Sequence, residues 1–434
     1  MPQTRSVLCV VGTRPEAIKM APIMCSLKEI TDISVRLLLT GQHRDLLSQA
    51  LASFGLIGEA NLDLMQPNQS LSGLSARIMG GIDSILEQNP PAMVLAQGDT
   101  TTVMATAIAC FHRQIPFGHV EAGLRTGNLS SPFPEEFNRI VASHAASLNF
   151  APTEGARQAL LREAIRPETI HVTGNTVIDA LLATAAQKPR LSLPLPSDQR
   201  LVLLTMHRRE NFGRPAAQIF DAVLALCAAF PDVHFLYPVH PNPNIRDAAH
   251  GMLSRSPQVT LTEPLDYPEM VAAMQRATLV LTDSGGLQEE APALGKPVLV
   301  MRNETERPEA VQLGVAKLIG TSRRHVFREV ARLLTSPADY AAMAKGVSPY
   351  GDGCAAARIA ALVANRSSTP PGRCPVREAP HRRHGRRYGC RRSSRSLRRR
   401  LSVPRRCQTR STWHERRNNP GGSRPARSVR CPAA

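Results

Sequence analysis

Most of what would mark a metal-dependent, membrane or secreted protein is missing from this chain. There is no CxxC pair, no zinc-type Cys/His spacing, no HExxH pattern and no oxygen-rich calcium loop, so no metal is expected. No uninterrupted apolar run approaches the ~18 residues of a membrane-spanning helix. The opening stretch MPQTRSVLCVVGTRPEA reads as a short strand and a turn, without the longer apolar region and small-residue cleavage site of a signal peptide. A cytoplasmic setting with no membrane partner is the simple expectation. Cys9, Cys25, Cys110, Cys227 and Cys354 lie far apart and mostly in apolar runs, which fits reduced, buried thiols.

Net charge is also missing from most of the chain. The 434 residues carry a formal charge of +18 from 53 basic and 35 acidic side chains, a total that suggests nucleic acid or an anionic surface if evenly spread. It is not evenly spread. From Arg366 to Ala434 there are 21 arginines, no lysine and two acids, Glu378 and Glu415, leaving 32 basic and 33 acidic groups in the first 365 residues. The tail 366–434, dominated by arginine, serine, proline and glycine, cannot bury enough apolar surface to fold by itself and is expected to be disordered. Its abrupt change of composition fits translation of a shifted reading frame, with a selected basic arm as the other reading. Nucleic-acid binding by the tail is not expected; a genuine arm would bind weakly and with strong salt dependence.

What is present is alternation. SVLCVVG, SVRLLLT, AMVLAQGD, PFGHVE and SLNFAPT read as strands in the first half, and RLVLLTMH, VHFLYPVH, VTLTEP, TLVLTDS and KPVLVM in the second. Between them, stretches such as Pro15 to Ile30 and Pro215 to Phe230 carry apolar residues at helical spacing. Buried runs alternating with helices predict parallel sheets and an α/β fold. The pattern restarts after Gln187 to Arg200, a proline-rich stretch without apolar periodicity that reads as a connection between two doubly wound domains. Such sheets bind ligands at the carboxyl ends of their strands.

Several strand ends carry chemistry. In LTDSGGLQEEAP, Ser284, Gly285 and Gly286 open a helix directly after a strand. Free backbone N–H groups there, with no Cβ in the way, suit a pyrophosphate, and Glu289 or Glu290 could accept from ribose hydroxyls; a plain cap with dipole-compensating glutamates is the other reading. GTRPEAIKMAP brings Arg14 and Lys19 to the end of the first strand, where Arg14 can pair with phosphate or simply be solvated. Asp99 and Glu121 end neighbouring strands, and Glu135 and Glu136 stand in SSPFPEEFNR. Converging carboxylates are candidates for acid/base chemistry because they shift one another's pKa; alternatively each caps the next helix. TMHRRENFG places His207, Arg208 and Arg209 at a strand end, YPVHPNPN adds His240, and ETERPEA adds Arg307.

Taken together, GTRPEAIKMAP, TGQHRDLL, GDTTT, GHVEAGLRTG, PFPEEFNR, TGNTVIDAL, HRREN, YPVHPNPN, LTDSGGLQEEAP, TERPEAV and PYGDG, in that order from Val7 to about Ala364, resemble the bacterial non-hydrolysing UDP-N-acetylglucosamine 2-epimerases. The resemblance implies a GT-B fold: a Rossmann-like domain over 1–175 rejoined by a helix at 354–365, and a Rossmann-like UDP-binding domain over 176–353. It implies interconversion of UDP-GlcNAc and UDP-ManNAc without metal, nicotinamide or other cofactor, by elimination of UDP and its re-addition to 2-acetamidoglucal. On this resemblance Asp99, Glu121 and Glu135 match acid/base carboxylates and His207 a histidine that contacts the UDP phosphates. Arg14, Lys19 and Arg307 match cations of the cleft, Ser284, Gly285 and Gly286 the pyrophosphate turn, and Glu290 the ribose ligand. Met270 stands where an aromatic residue commonly packs on uracil and offers a poorer stacking surface. Gln42, Arg208 and His240 match positions associated with a second UDP-GlcNAc bound as activator, and a homodimer is implied. Gln97 and Asn68 depart from the residues usual at their positions. A retaining glycosyltransferase, a hydrolysing epimerase and a binding protein with an inactive cleft remain as rival readings.

Overall fold

The structure is a computed structural model and describes residues 4–41, 47, 51–58, 60–64 and 69–367. Gln42, Asn68 and residues 368–434 of the tail lie outside the described residues.

The first half holds strands β1 (Arg5–Val11), β2 (Ile33–Leu39), β3 (Ala60–Asn61), β4 (Met93–Gln97), β5 (Phe117–Val120), β6 (Leu148–Ala151) and β7 (Ile170–Val172). They form one parallel sheet in the order β3-β2-β1-β4-β5-β6-β7. Its helices are α1 (Arg14–Lys28), α2 (Leu71–Gln88), α3 (Thr101–His112), α4 (Glu135–Ala145), α5 (Glu154–Arg162) and α6 (Thr176–Ala186). In the second half β8 (Arg200–Thr205), β9 (Val233–Pro238), β10 (Val259–Thr262), β11 (Leu279–Thr282), β12 (Val298–Val300) and β13 (Ala316–Leu318) pair in the order β10-β9-β8-β11-β12-β13, again all parallel. Around it lie α7 (Arg214–Ala229), α8 (Pro243–Leu253), α9 (Tyr267–Arg276), α10 (Gly285–Ala293), α11 (Pro308–Gln312), α12 (Arg323–Thr335), α13 (Pro337–Met343) and α14 (Ala355–Ser367).

All ten strands expected from the sequence are present. The strands it did not suggest, β3, β7 and β13, are edge strands of two or three residues, too short to leave a periodic signal. In both sheets the winding direction reverses once, between β1 and β4 and between β8 and β11. The loops leaving these strands diverge there and open a crevice. Gly12 to Arg14 and Asp99 stand at the first crevice, His207 and Asp283 at the second.

One apolar core serves both halves. Val7, Met20 and Met24 pack through Val177 and Leu181 of α6 and Ile359 and Val363 of α14 to Leu203, Val280 and Leu287 of the second half. Burying side chains of this size contributes roughly 1.5–3 kcal/mol each. The Gln187 to Arg200 connection differs from its reading as a stretch without periodicity. Leu191, Leu193 and Leu195 alternate and pack against the core. Two of the five cysteines among the described residues also differ: Cys9, Cys110 and Cys227 are buried, whereas Cys25 and Cys354 are exposed. Cys25 lies on the outward side of α1 beside buried Met24, and Cys354 immediately precedes α14.

Helix α14 packs on α1 and α6 and is fastened at both ends. The Asp179 carboxylate of α6 accepts from the Ala355 and Ala356 N–H groups at 3.3 and 2.8 Å, satisfying amides that have no partner within the helix. Arg5 Nη1 donates to the Ala364 carbonyl at 2.9 Å. Asp179→Ala is expected to cost about 1–2 kcal/mol, seen as a lower urea midpoint together with faster amide exchange in α14. An unchanged midpoint and exchange pattern would show that the helix docks without this cap.

Candidate active site

The first crevice is shaped by a buried carboxylate. Glu16 Oε2 accepts from the Gly12 and Thr13 N–H groups at 2.5 and 2.9 Å, and Oε1 from Thr100 Oγ1 at 2.6 Å. Burial pushes its carboxyl up to about 7 against these hydrogen bonds. The closed turn sends Arg14 toward the second half, where its Nη2 donates to the Leu265 carbonyl at 2.9 Å. One helical turn on, Lys19 Nζ lies between the two oxygens of Glu121, 2.8 and 2.7 Å away.

Glu121 follows β5 with φ 63°, left-handed backbone that a residue with a Cβ adopts only at a cost of order 1 kcal/mol or more. Beyond Lys19, its Oε2 accepts from Gln97 Nε2 and its Oε1 from Asn175 Nδ2 at 3.4 Å. Asp99 is held separately, by an ion pair with Arg139 and through its carbonyl by Asn138 Nδ2 at 2.9 Å. The PEE pair divides. Glu136 is buried and accepts from the Thr126 and Gly127 N–H groups at 3.0 and 2.9 Å. Glu135, half-buried at the start of α4, has a side chain that makes no hydrogen bond or ion pair among the described residues.

At the second crevice Asp283, fully buried, accepts from the His207 and Arg208 N–H groups at 3.1 and 3.0 Å, from Asn211 Nδ2 at 2.9 Å and from His207 Nδ1 at 3.1 Å. Burial raises this carboxyl, but His207 and the hydrogen bonds outweigh it and hold it below its usual range. The His240 ring lies 6.2 Å from that of His207 at 29°, and burial together with His207 lowers its pKa. Arg208 Nη2 reaches Glu306 Oε1 at 3.3 Å. Ser284 caps α10 without a side-chain capping bond, leaving Gly285 and Gly286 as the first helical residues. The Arg307 guanidinium lies against Gly285, where a Cβ would stand 2.6 Å from Nη1. Arg307 Nε donates to Glu289 Oε1 and Nη1 to Glu306 Oε1, each at 2.5 Å. Glu290 accepts from the Tyr267 hydroxyl at 2.9 Å, and burial pushes its carboxyl up to about 7. Met270 sits on α9, half-buried against the core.

The two crevices meet through Asn175, the N-cap of α6. Its Nδ2 donates to Glu289 Oε2 at 3.0 Å as well as to Glu121. Gly285, Arg307, Glu289, Asn175, Glu121 and Lys19 therefore form one row from the turn of the second half to the carboxylate of the first. Burial alone would raise Glu121, but Lys19, then Arg307, outweigh it and hold it low. For Glu289, burial prevails over the two cations, helped by Glu121, and the carboxyl is raised. Of the carboxylates expected at one edge, Asp99 takes Arg139 and Asn138 of α4, Arg139 also acts on Glu121 through its charge, and Glu289 shares Asn175 with Glu121. Asn175, Asp283 and Arg139 were not singled out from the sequence. Among the described residues no group of His, Cys, Asp and Glu is arranged to hold a metal ion, and no helix is long and apolar enough to cross a membrane.

Two doubly wound sheets joined by this row make the architecture a GT-B fold, the class of many enzymes acting on nucleotide sugars. A family model described as UDP-N-acetylglucosamine 2-epimerase matches residues 26–364. The UDP-N-acetylglucosamine 2-epimerase of Escherichia coli K12 is 47% identical over 373 residues, covering 83% of this chain and 99% of the relative. The crystal structure of the Neisseria meningitidis UDP-GlcNAc 2-epimerase bound to UDP-GlcNAc is similar with a TM-score of 0.79 at 41% identity, over 83% of this chain and 100% of the other. The Methanocaldococcus jannaschii enzyme in complex with UDP-GlcNAc and UDP gives 0.70 at 29% identity, over 83% and 99%. The chain belongs to the UDP-N-acetylglucosamine 2-epimerase family.

The two glycines of the turn make a separable test of the row. Gly285→Ala must shift the Arg307 guanidinium, which is paired with Glu289 and Glu306, and is expected to cost about 1–3 kcal/mol in urea unfolding. Gly286→Ala, whose Cβ would meet nothing nearer than 3.7 Å, is expected to stay within about 0.5 kcal/mol of the parent. Equal stabilities for the two variants would contradict the placement of Arg307 over Gly285.

Proposed function

We propose that the enzyme interconverts UDP-GlcNAc and UDP-ManNAc by anti elimination of UDP and its re-addition. The observation that carries this reading is the row from the Ser284–Gly286 turn to Glu121, which puts an anion-binding helix terminus beside buried carboxylates. A C2 proton of a sugar is scarcely acidic, so its removal must accompany departure of the leaving group. The C2–H electron pair forms the C1=C2 bond as the C1–O pair leaves with UDP, giving 2-acetamidoglucal. UDP then re-adds at C1 while a proton is delivered to the opposite face of C2. Asp99, Glu121 and Glu135 are the proton acceptors and donors. The UDP phosphates rest on the N–H groups of Ser284, Gly285 and Gly286 and are met by His207, Arg14 and Arg307. Glu290 holds the ribose and Met270 the uracil. Arg14 and Arg307 supply positive charge to the leaving group in this reading, which calls for no metal ion and no nicotinamide or other cofactor.

In the same reading a second UDP-GlcNAc binds beside the first as an activator, at Gln42, Arg208 and His240. The proximity of Arg208 and His240 to His207 supports a common rim. The enzyme acts as a cytoplasmic homodimer, and its product supplies ManNAc units for a surface polysaccharide or glycoconjugate.

Proton NMR of UDP-GlcNAc incubated with the full chain in deuterated water tests the reaction. UDP-ManNAc carrying deuterium at C2 is the expected product. Free ManNAc would place the enzyme with hydrolysing epimerases, and unchanged substrate would remove the epimerase reading. Asp99→Asn and Glu121→Gln are each expected to lower kcat by about a hundredfold or more with the fold intact by circular dichroism.

A further inference from the structure

Glu121 is a poor proton acceptor as the structure holds it. Lys19 Nζ contacts both carboxylate oxygens at 2.8 and 2.7 Å, and Asn175 and Gln97 occupy one more position on each. The pair is buried, with side-chain exposures of 12% and 5%, so the ammonium suppresses basicity far more than a solvated one would. Lys19 has no second ion pair among the described residues; Glu289 and Arg307 act on it only through their charges. At the far end of the row Arg307 borders Gly285 of the anion-binding turn. An anion on that turn lies next to Arg307, which with Glu289 acts on Lys19 through its charge.

We propose that Lys19 is a displaceable guard of Glu121: the diphosphate of the nucleotide sugar draws the ammonium off the carboxylate, so that Glu121 becomes a competent base only with substrate bound. This rests on the reaction proposed above. The other groups facing Glu121 favour the same outcome. Arg307, across the junction, is drawn to the same diphosphate, while Glu289 beside it opposes a second negative charge. Arg139 of α4 is committed to Asp99 and Glu136. His119 of β5 is kept neutral, its pKa lowered to about 4 chiefly by burial. Once Lys19 leaves, burial dominates and proton affinity rises, while Asn175 and Gln97 still orient the carboxylate. Lys19 thus does two tasks: it binds phosphate and times the base.

Paired pH profiles decide this. The acid limb of kcat/KM reports the free enzyme and that of kcat the bound enzyme. With Lys19 clamped only in the free state, the limb of kcat/KM lies lower by about 1 pH unit or more. Lys19→Met is expected to raise the limb of kcat/KM until the two coincide, and Lys19→Arg to preserve the gap. Coincident limbs in the active wild-type enzyme would overturn the guard role. So would a Lys19→Met enzyme whose kcat/KM falls by one factor at every pH, as loss of a phosphate contact alone requires. The wild-type comparison needs no variant, so misfolding of Lys19→Met leaves it decisive. A wild-type chain that epimerises nothing would instead sink the reaction and the guard together.

Discussion

Four opposite charges buried at the junction of two sheets constrain everything around them. Lys19, Glu121, Glu289 and Arg307 are each at least nine-tenths out of contact with water or close to it. Ions in such a place persist only when paired and hydrogen-bonded, because an uncompensated one costs several kcal/mol. The pairing dictates local features that look arbitrary one at a time. Glu121 turns into left-handed backbone, Gly285 has no room for a Cβ, and the cap of α6 is an asparagine that can donate to two carboxylates at once.

The fold exists to bring those charges together and hold them. Each sheet alone offers one crevice, with cations and a carboxylate in the first and an anion-binding turn in the second. A core continuous from β1 through α6 and α14 to β11 locks one crevice against the other, and Asp179 and Arg5 fasten the last helix across the first half. Apolar burial supplies the adhesion, and the polar row supplies the register. In the proposed reaction the C1–O bond and the C2–H lie on adjacent carbons, and a network continuous from the turn to the carboxylates serves leaving group and base together.

The sequence made the strands legible because parallel strands buried on both faces are written as continuous apolar runs, as in VLCVV and LVLLT. It also made the strand ends legible, since the residues there, Arg14, Asp99, Glu121, His207 and Ser284, break those runs with polar groups. What it hid were relations across the fold. Asp99 and Glu121 end neighbouring strands, yet each rests on a different cation, Arg139 of α4 and Lys19 of α1. Glu289 and Glu290 are adjacent in the chain but face different partners, Arg307 and Tyr267, and no pattern within DSGGLQEE separates them. Asn175 caps α6, and its second task depends on two carboxylates more than fifty residues away on either side. The alternating leucines of the Gln187 to Arg200 connection were masked by the prolines between them.

The central claim is that C1–O cleavage and C2 deprotonation belong to one network. An oxygen-18 label in the bridge between C1 and the β-phosphate of UDP-GlcNAc tests it most directly. If UDP leaves within the cleft, the label scrambles into non-bridging positions of the β-phosphate in recovered nucleotide sugar, in step with exchange at C2. Exchange and epimerisation at C2 with the label fixed in the bridge would mean that the bond to UDP never breaks, and would contradict the account.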